Sequence, residues 1–528
     1  MFLRKIIADK NLFVLLPIIS VFAFFNIWLA WPQSQSFNLQ PRFDWPDETA
    51  NFFWVNNFVE SNQLFFAEPL NEIAVNQIHP RSFNVNNKGE LVPGSFLGLI
   101  LFYAVIAKTF GLDAVFFFGP LLAAFGVLPF YFIIKKFFDH KIALVSAILM
   151  IFHPAWWYYS ASPFLPNALF LSTLLTSLAI IICSNRMTLP KVILSGLFFG
   201  LSFSIRPSEV VWIMSLVLIV FLFRYKKFNW SKIFSFFIAT GLIFLPGLYF
   251  QYSLYGGFFS TGYDQLQSQG QGGCKLCQMA QSLFLPFGFH PIILLKNFWH
   301  HYFLRFWPLN LLAFAGFIAY ALRAEKNKNL FKIYSGVLIA LHIWLIMFYG
   351  NWQFADQMTV NLNILAVSYI RYWLLLYLLV LPFVAYLIVS FAQKFKKNHW
   401  LMVIFSILIL LYYSGSMVLF SGNDSLLKVK ERIYSYYQSA QEINQLTESD
   451  SIIIVNRKDK VIFPERKAIH TFQDLHDDSL ILSFLPNLIV KAPVYYLSLA
   501  PIDNGALDEN LSLILIKKVN NEYLYKIE

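Results

Sequence analysis

Long apolar runs separated by short polar tracts dominate the pattern of this chain. A helix of about 20 apolar residues crosses the hydrocarbon core of a bilayer, and many of these runs approach that length. The pattern predicts an all-α polytopic membrane protein with about eleven transmembrane helices. The predicted spans are residues 11–31, 114–134, 142–159, 163–183, 192–205, 208–223, 233–251, 302–322, 333–350, 371–391 and 400–420.

Lysine and arginine residues are concentrated in short tracts between these runs. Membrane proteins carry such an excess on their cytoplasmic loops, so we assign every tract to the inside. The tracts are Arg4–Lys10, Lys135–Lys141, Arg186–Lys191, Arg224–Lys232, Arg323–Lys332 and Lys394–Lys397. Since an even number of crossings joins two inside tracts, the apolar run at residues 91–110 is predicted to remain on the outer side as a juxtamembrane or re-entrant helix. The N-terminus is then inside and the C-terminus outside.

Composition agrees with a membrane location and argues against a nucleic-acid partner. The chain has 528 residues, of which 58% are hydrophobic and 13% charged, whereas soluble domains carry about 25% charged residues. The net charge of +11 lies in the tracts that mark the inside face, so it indicates membrane lipids as neighbours. The largest early polar region is the predicted first outer loop, residues 32–113.

The segment 421–528 differs from the transmembrane domain, residues 1–420, and is predicted to be a small α/β soluble domain on the outer side. It contains neither a glycine-rich phosphate loop nor a nucleophile elbow, so we expect it to have a structural or acceptor-recognition role. Its predicted elements are an amphipathic helix at 424–446, β-like runs at Ser451–Val455, Lys460–Phe463 and Val494–Leu499, and a hairpin of Leu511–Val519 and Tyr523–Ile527 around Asn520-Asn521.

Three carboxylates occur within five residues of the first outer loop, in Asp44-Trp45-Pro46-Asp47-Glu48. If Asp44 caps a helix that begins near Pro46, then Asp47 and Glu48 lie in its first turn. Acidic residues favour helix N-termini because of the helix dipole, which is the structural explanation for any one of them. Their clustering beside a membrane, among aromatic residues, instead indicates an active site.

The stretch Pro46-Asp47-Glu48-Thr49-Ala50-Asn51 resembles the Asp-Glu pattern of the GT-C superfamily of integral-membrane glycosyltransferases, in its protein O-mannosyltransferase and aminoarabinose transferase branch. The stretch Pro93-Gly94-Ser95-Phe96-Leu97-Gly98 resembles the juxtamembrane segment of that branch. The resemblance covers residues 1 to about 392. It implies a hexosyl- or pentosyltransferase of the cytoplasmic membrane that moves a sugar from a polyprenyl-phosphate donor to a glycan, lipid or protein hydroxyl. Asp47 would be the catalytic base, with Glu48 and Asp44 beside it.

Two arginines at the predicted outer ends of helices, Arg371 and Arg206, are candidates for binding the donor phosphate, because a guanidinium group binds phosphate oxygens through two parallel hydrogen bonds. The alternative for each is an arginine that extends to the membrane interface. A softer basic group, formed by His290, His300, His301 and Arg305, lies near the end of a long predicted outer loop, residues 252–300.

No cofactor is predicted, and a divalent metal ion is doubtful. Many members of the superfamily carry a further acid in the short outer loop after the third helix, but Ser160–Asn167 contains none. Hard cations prefer several oxygen ligands, mostly charged. Cys274 and Cys277 form a Cys-x-x-Cys without a second such pair, so a small disulfide loop or two free thiols are favoured over a zinc site.

Two other functions remain open. A transporter or flippase for lipid-linked sugars would be expected to show inverted repeats and ionisable residues in mid-helix, and neither is evident in the sequence. A polysaccharide polymerase or ligase would be expected to rely on arginines in a large later loop instead of acids in the first loop.

Overall fold

A computed structural model describes residues 9–263, 284–323, 328–353, 364–502, 506–508 and 511–528. Cys274 and Cys277 lie outside these ranges. The chain forms two compact units. Unit 1 comprises Met1–Ala30, Phe116–Leu245 and Gly270–Lys428, and unit 2 comprises Trp31–Val115, Pro246–Gln269 and Val429–Glu528.

The α-helices of the described chain are, in order, α1 Lys10–Ala30, α2 Pro46–Ser61, α3 Leu97–Phe110, α4 Ala114–Phe125, α5 Val127–Phe137, α6 His140–Phe152, α7 Pro154–Ser160, α8 Pro166–Cys183, α9 Leu189–Ile205, α10 Val210–Phe223, α11 Trp230–Tyr255, α12 Pro291–Asn297, α13 Trp307–Arg323, α14 Lys328–Gly350, α15 Ser368–Tyr372, α16 Leu374–Ala392, α17 His399–Gly415, α18 Leu426–Leu446, α19 Asp459–Ile462 and α20 Ser479–Ile489. Each of the eleven predicted transmembrane runs is helical over most of its length.

Seven helical stretches of the described chain are long and apolar enough to cross a membrane, or up to nine when each bent helix pair counts as one span. The helices α6 and α7 meet at 57°, and α9 meets the helical segment from Pro207 to Phe223 at 107°. A proline follows each break, and proline disfavours a helical conformation in the residue before it. Within the longest stretch, Leu374–Phe420, Lys396 has a positive φ of 42° that separates α16 from α17.

Small residues let the helices of unit 1 approach one another closely. A Cβ atom added at Gly196 of α9 would lie 2.5 Å from the carbonyl oxygen of Phe236 of α11, and one added at Gly200 would lie 2.6 Å from that of Thr240. Glycines four residues apart on one helix allow the backbones of membrane helices to touch in this way. On the other face of α9, Ser177 of α8 donates a hydrogen bond of 2.9 Å to the carbonyl oxygen of Ser195.

The strands that the structure describes all lie in unit 2. They are β1 Phe66–Ala67, β2 Phe83–Val85, β3 Glu90–Pro93, β4 Ile452–Asn456, β5 Lys467–Thr471, β6 Val494–Ser498, β7 Ala506–Asp508, β8 Leu511–Val519 and β9 Glu522–Ile527. The first three form an antiparallel sheet in the order β1-β3-β2, and the others a sheet in the order β5-β4-β6-β9-β8-β7. In the larger sheet β4 pairs in parallel with β5 and β6, while β8 and β9 form the predicted hairpin.

Two sequence predictions for unit 2 are wrong in detail. The run at 91–110 begins as the end of strand β3, and its helix starts only at Leu97, because Pro93 and Val92 pair with β2. The β-like run at Lys460–Phe463 belongs to the single helical turn α19 and the residue after it. Short apolar runs are compatible with a strand or with one buried turn of helix, and periodicity alone does not separate them.

The predicted first outer loop and most of the predicted C-terminal domain share one core. Ala74 and Ile78 of the loop are buried among the residues of the larger sheet, including Ile452 and Ile469. Charged pairs join the same two segments: Lys467 lies 2.9 Å from Glu68, and Arg42 pairs with Glu465. The residues that carry the acidic stretch are therefore packed against the C-terminal segment.

Candidate active site and phosphate pocket

The acidic stretch forms the start of helix α2. Pro46 occupies the first helical position, where its missing N–H leaves no hydrogen bond unmade, and Asp47 and Glu48 lie in the first turn as predicted. Trp45, not Asp44, occupies the cap position, so the prediction that Asp44 caps this helix is wrong. Glu48 is buried and Asp47 is half-buried.

Asp47 receives a hydrogen bond from Ser82, a residue of the same outer loop. The Ser82 hydroxyl lies 2.7 Å from Oδ1 of Asp47. The neighbouring Arg81 is bound to buried Asp459 of α19 through its backbone N–H at 2.8 Å and its Nε at 2.9 Å. The loop that presents Ser82 to Asp47 is thus held by the C-terminal segment.

Asp44 is engaged by cations of the C-terminal segment. Arg432 of α18 donates two hydrogen bonds to its carboxylate, at 2.9 and 2.6 Å, and Lys460 of α19 lies 3.3 Å from the same group. Tyr436 adds a third donor at 3.2 Å. Burial alone would raise the pKa of Asp44, but the charges of Lys460 and Arg432 outweigh it and hold the pKa well below its usual value of 3.8.

Glu48 lies close to the middle of helix α3. Burial raises the pKa of Tyr103 on that helix, and the negative charge of Glu48 raises it further. The next turn of α2 is also joined to the start of α3, because the Ser95 hydroxyl donates a 2.7 Å hydrogen bond to the side-chain oxygen of Asn51. The first turns of α2 are therefore fixed against α3 as well as against the Ser82 loop.

In unit 1, the two arginines predicted to bind the donor phosphate line the same pocket. To a water-sized probe its cavity measures about 10 Å³, and it opens to solvent. Arg206 follows α9, Arg371 belongs to α15, and their side chains are largely buried, with 5% and 8% of their surfaces exposed. The lining residues are Asn167, Phe170, Leu171, Arg206, Glu209, Trp212, Leu345, Arg371, Tyr372 and Leu375. The pocket therefore combines apolar walls with a cationic group.

Glu209 partly balances the charge of Arg206. The Arg206 guanidinium donates to Glu209 at 2.8 to 3.1 Å and to the hydroxyl of Tyr349 at 3.0 Å. Tyr349 and Trp212 in turn donate to the Glu209 carboxylate. Two guanidinium groups and one carboxylate line this pocket among the residues described, so its formal charge is positive.

The ring of Tyr372 connects the two arginines. Its centroid is 4.8 Å from the guanidinium carbon of Arg206 and 5.1 Å from that of Arg371. Cations at such distances are attracted to the face of an aromatic ring. Asn167 of α8 donates a 3.0 Å hydrogen bond to the carbonyl oxygen of Arg371, so both the side chain and the backbone of Arg371 are positioned by residues of the pocket.

The lining of this pocket includes none of the softer basic group, His290, His300, His301 and Arg305. His301 is buried and its ring stacks on Tyr369, with centroids 4.9 Å apart. The backbone N–H of His290 donates to the side chain of Asn351 at 2.6 Å. In the regions of the chain that the structure describes, no group of three or more His, Cys, Asp or Glu side chains is placed to hold a metal ion.

The sequence analysis did not predict the hydrogen-bonding and ion-pair partners of the candidate site residues. Glu209 and Tyr372 had a local signal, because one lies three residues after Arg206 and the other directly follows Arg371. Ser82, Arg432 and Lys460 had none, since contacts between residues this far apart in the sequence cannot be read from spacing.

No family model matches this sequence, and no curated protein sequence matches it. Similar structures do exist. ArnT from Cupriavidus metallidurans, in a crystal structure with undecaprenyl phosphate, matches with a TM-score of 0.53 and 9% identity over 98% of this chain and 97% of that one. The oligosaccharyltransferase of Archaeoglobus fulgidus, in its apo form, matches with a TM-score of 0.50 and 12% identity over 92% of this chain and 69% of that one.

Both structures are GT-C glycosyltransferases. At this level of identity the likeness shows the fold alone. A helical fold that resembles GT-C glycosyltransferases is thereby confirmed, whereas the count of eleven crossings, the side of the membrane on which residues 421–528 lie and the branch of the superfamily stay predictions. The fold of this chain resembles that of these two glycosyltransferases.

Proposed function

We propose that this protein transfers a sugar from a polyprenyl-phosphate donor to an acceptor hydroxyl at the outer face of a cytoplasmic membrane. The observation that carries the proposal is the pocket that contains both Arg206 and Arg371. Buried guanidinium groups next to apolar walls suit a phosphate attached to a hydrocarbon chain. The fold shared with ArnT, whose crystal structure contains undecaprenyl phosphate, supports the same substrate class.

In the proposed reaction the acceptor oxygen attacks the anomeric carbon of the sugar. A new carbon–oxygen bond forms to the acceptor while the bond from the anomeric carbon to the phosphate oxygen breaks. The polyprenyl phosphate leaves with the bonding electron pair, and Arg371 and Arg206 stabilise its charge. Asp47 accepts the proton of the acceptor hydroxyl. Glu48 orients the acceptor or its partner.

We assign Asp44 a structural role within this site. A carboxylate whose pKa is held low by two cations is a poor proton acceptor near neutral pH. The same engagement argues against Asp44 as a metal ligand. The proposed mechanism assigns no step to a bound metal ion. The proposed topology has eleven crossings, with the N-terminus inside and the segment 421–528 outside, so that Asp47 is on the outer face.

The purified protein is tested for consumption of radiolabelled polyprenyl-phosphate sugars. The panel contains hexose and pentose donors, and membranes of the expression host supply the acceptor. Asp47→Asn keeps the size of the side chain but cannot accept a proton as a carboxylate does. Loss of a general base lowers the rate by about two to four orders of magnitude. Glu60→Gln is the matched control, because Glu60 is an exposed acid at the other end of the same helix.

Binding of the carrier is measured separately with undecaprenyl phosphate. We expect Asp47→Asn to bind it at least as tightly as the wild type, because a carboxylate repels a phosphate and does not hold it. A folded Asp47→Asn protein that transfers sugar at a near-normal rate would contradict the role of Asp47. A wild-type protein that binds the donors and moves them across vesicles without cleaving any of them would be a flippase instead.

A further inference from the structure

The backbone of Ser82 is held in an unusual conformation. Its φ angle is 64°, in the left-handed region that serine seldom adopts. Such conformations persist only where surrounding contacts impose them, and they are found mainly at functional sites. Here the strained residue is also the one whose hydroxyl donates to Asp47 at 2.7 Å.

Contacts on both sides of Ser82 impose this conformation. Before it, Arg81 is tied to Asp459, whose side chain is 1% exposed, and to the carbonyl oxygen of Arg457 at 2.8 Å. After it, the backbone enters strand β2, which is paired with β3.

A third contact joins Ser82 to Gly94, the residue after strand β3. The N–H of Gly94 donates to the carbonyl oxygen of Ser82 at 3.0 Å. A Cβ atom added at Gly94 would lie 2.6 Å from that oxygen, so this approach requires glycine. The loop is therefore fixed at its start, at its end and from the neighbouring strand.

At the far end of α2 the Ser61 hydroxyl donates to a nearby backbone carbonyl, 2.7 Å from the carbonyl oxygen of Asn57. Ser82 instead directs its hydroxyl to the carboxylate of the proposed base. We propose that Ser82 is a positioning residue that fixes the orientation of the Asp47 carboxylate. The inference rests on the function proposed above.

The experiment compares Ser82→Ala and Ser82→Gly with the wild type, using the polyprenyl-phosphate sugar that the donor panel identifies. Alanine keeps Cβ and removes only the hydroxyl, so it bears the same backbone strain as serine. Glycine removes the whole side chain but accepts the left-handed backbone, so this variant is expected to fold. Ser61→Ala is the matched control, because it deletes a hydroxyl with a hydrogen bond of the same length at the far end of α2.

We expect Ser82→Gly to lower kcat roughly 10- to 100-fold, as for the loss of one hydrogen bond to a charged group. The KM for the donor should stay within about twofold, since the bond is to the base and not to the donor. Ser82→Ala should lower kcat by a similar factor, because it removes the same hydroxyl. In the Asp47→Asn background, Ser82→Gly should cause much less additional loss, because two residues that act as one unit are not additive.

Normal kcat for Ser82→Gly together with an inactive Asp47→Asn protein would overturn the inference and leave the proposed function intact. A loss in Ser82→Gly that Ser82→Ala does not share would also overturn it, because the hydroxyl would then be irrelevant. A rise in KM without a fall in kcat would assign Ser82 to binding instead. An active Asp47→Asn protein would overturn the proposed base and this inference together.

Discussion

Asp44→Asn should destabilise unit 2 before it affects the chemistry. The Asp44 side chain is 8% exposed, Lys460 is 13% exposed and Arg432 is 29% exposed. Removing one partner of a buried ion pair costs about 3–5 kcal/mol, because the remaining charge is left uncompensated. Since Arg432 is partly solvated, we expect the lower end, about 3 kcal/mol. For a unit of about 200 residues this corresponds to a melting point lower by roughly 6–12 °C.

The assay follows the amide I infrared band of β-strands during heating in detergent. Every strand in the described ranges lies in unit 2, so this band reports the unfolding of that unit. Glu442→Gln is the control, because the Glu442–Lys517 pair in the same unit is more exposed, with 30% and 54% of the side chains accessible. Such a pair contributes less than about 1 kcal/mol.

The same contact predicts a dependence of stability on pH. The pKa of Asp44 is lower in the folded protein than its ordinary value of 3.8, so its contribution is complete above that value. It is lost as the pH falls further, toward the folded pKa. The wild type should therefore lose stability below about pH 4 more steeply than Asp44→Asn. An Asp44→Asn protein that melts like the wild type at neutral pH would refute the reasoning.

Arg371→Lys keeps the charge but loses the planar geometry, so binding of undecaprenyl phosphate should weaken roughly tenfold. Arg186→Lys on an exposed loop is the control and should bind normally. Equal binding by both variants would remove Arg371 from the phosphate site. Cysteines placed at the exposed positions Asn87 and Asn521 should react with an impermeant thiol reagent from outside, and one at Asn229 should not. Labelling of the Asn87 and Asn229 positions from the same side would contradict the proposed topology. Turnover should be unchanged by EDTA, and a loss that Mg²⁺ or Mn²⁺ restores would show that a metal ion takes part.

Hydrophobic patterning predicted the helices because burial in lipid requires long apolar runs with every backbone group satisfied internally. The eleven runs are helical, and the hairpin around Asn520-Asn521 is present. The sequence did not predict that Arg206 and Arg371 lie together. Each is a candidate because an arginine at the outer end of a membrane helix is unusual, and the fold brings both to one pocket.

The roles of these acids depend on tertiary contacts that the sequence does not reveal. The role of Asp44 depends on Arg432 and Lys460, which lie 388 and 416 residues later in the chain. The expectation that Asp44 caps the helix is not met, and two distant cations bind its carboxylate instead. Similarly, nothing near Ser82 in the sequence indicates that its hydroxyl reaches Asp47.

The acids of one short stretch are assigned different tasks by their surroundings. Asp44 is held by cations and has a lowered pKa, which suits an anchor and not a proton acceptor. Glu48 is buried beside Tyr103 of α3, so it is less accessible to an acceptor. Asp47 is half-buried and is oriented by a strained serine. A base has to be both reachable by the acceptor and fixed in direction, and among these three acids Asp47 meets both conditions.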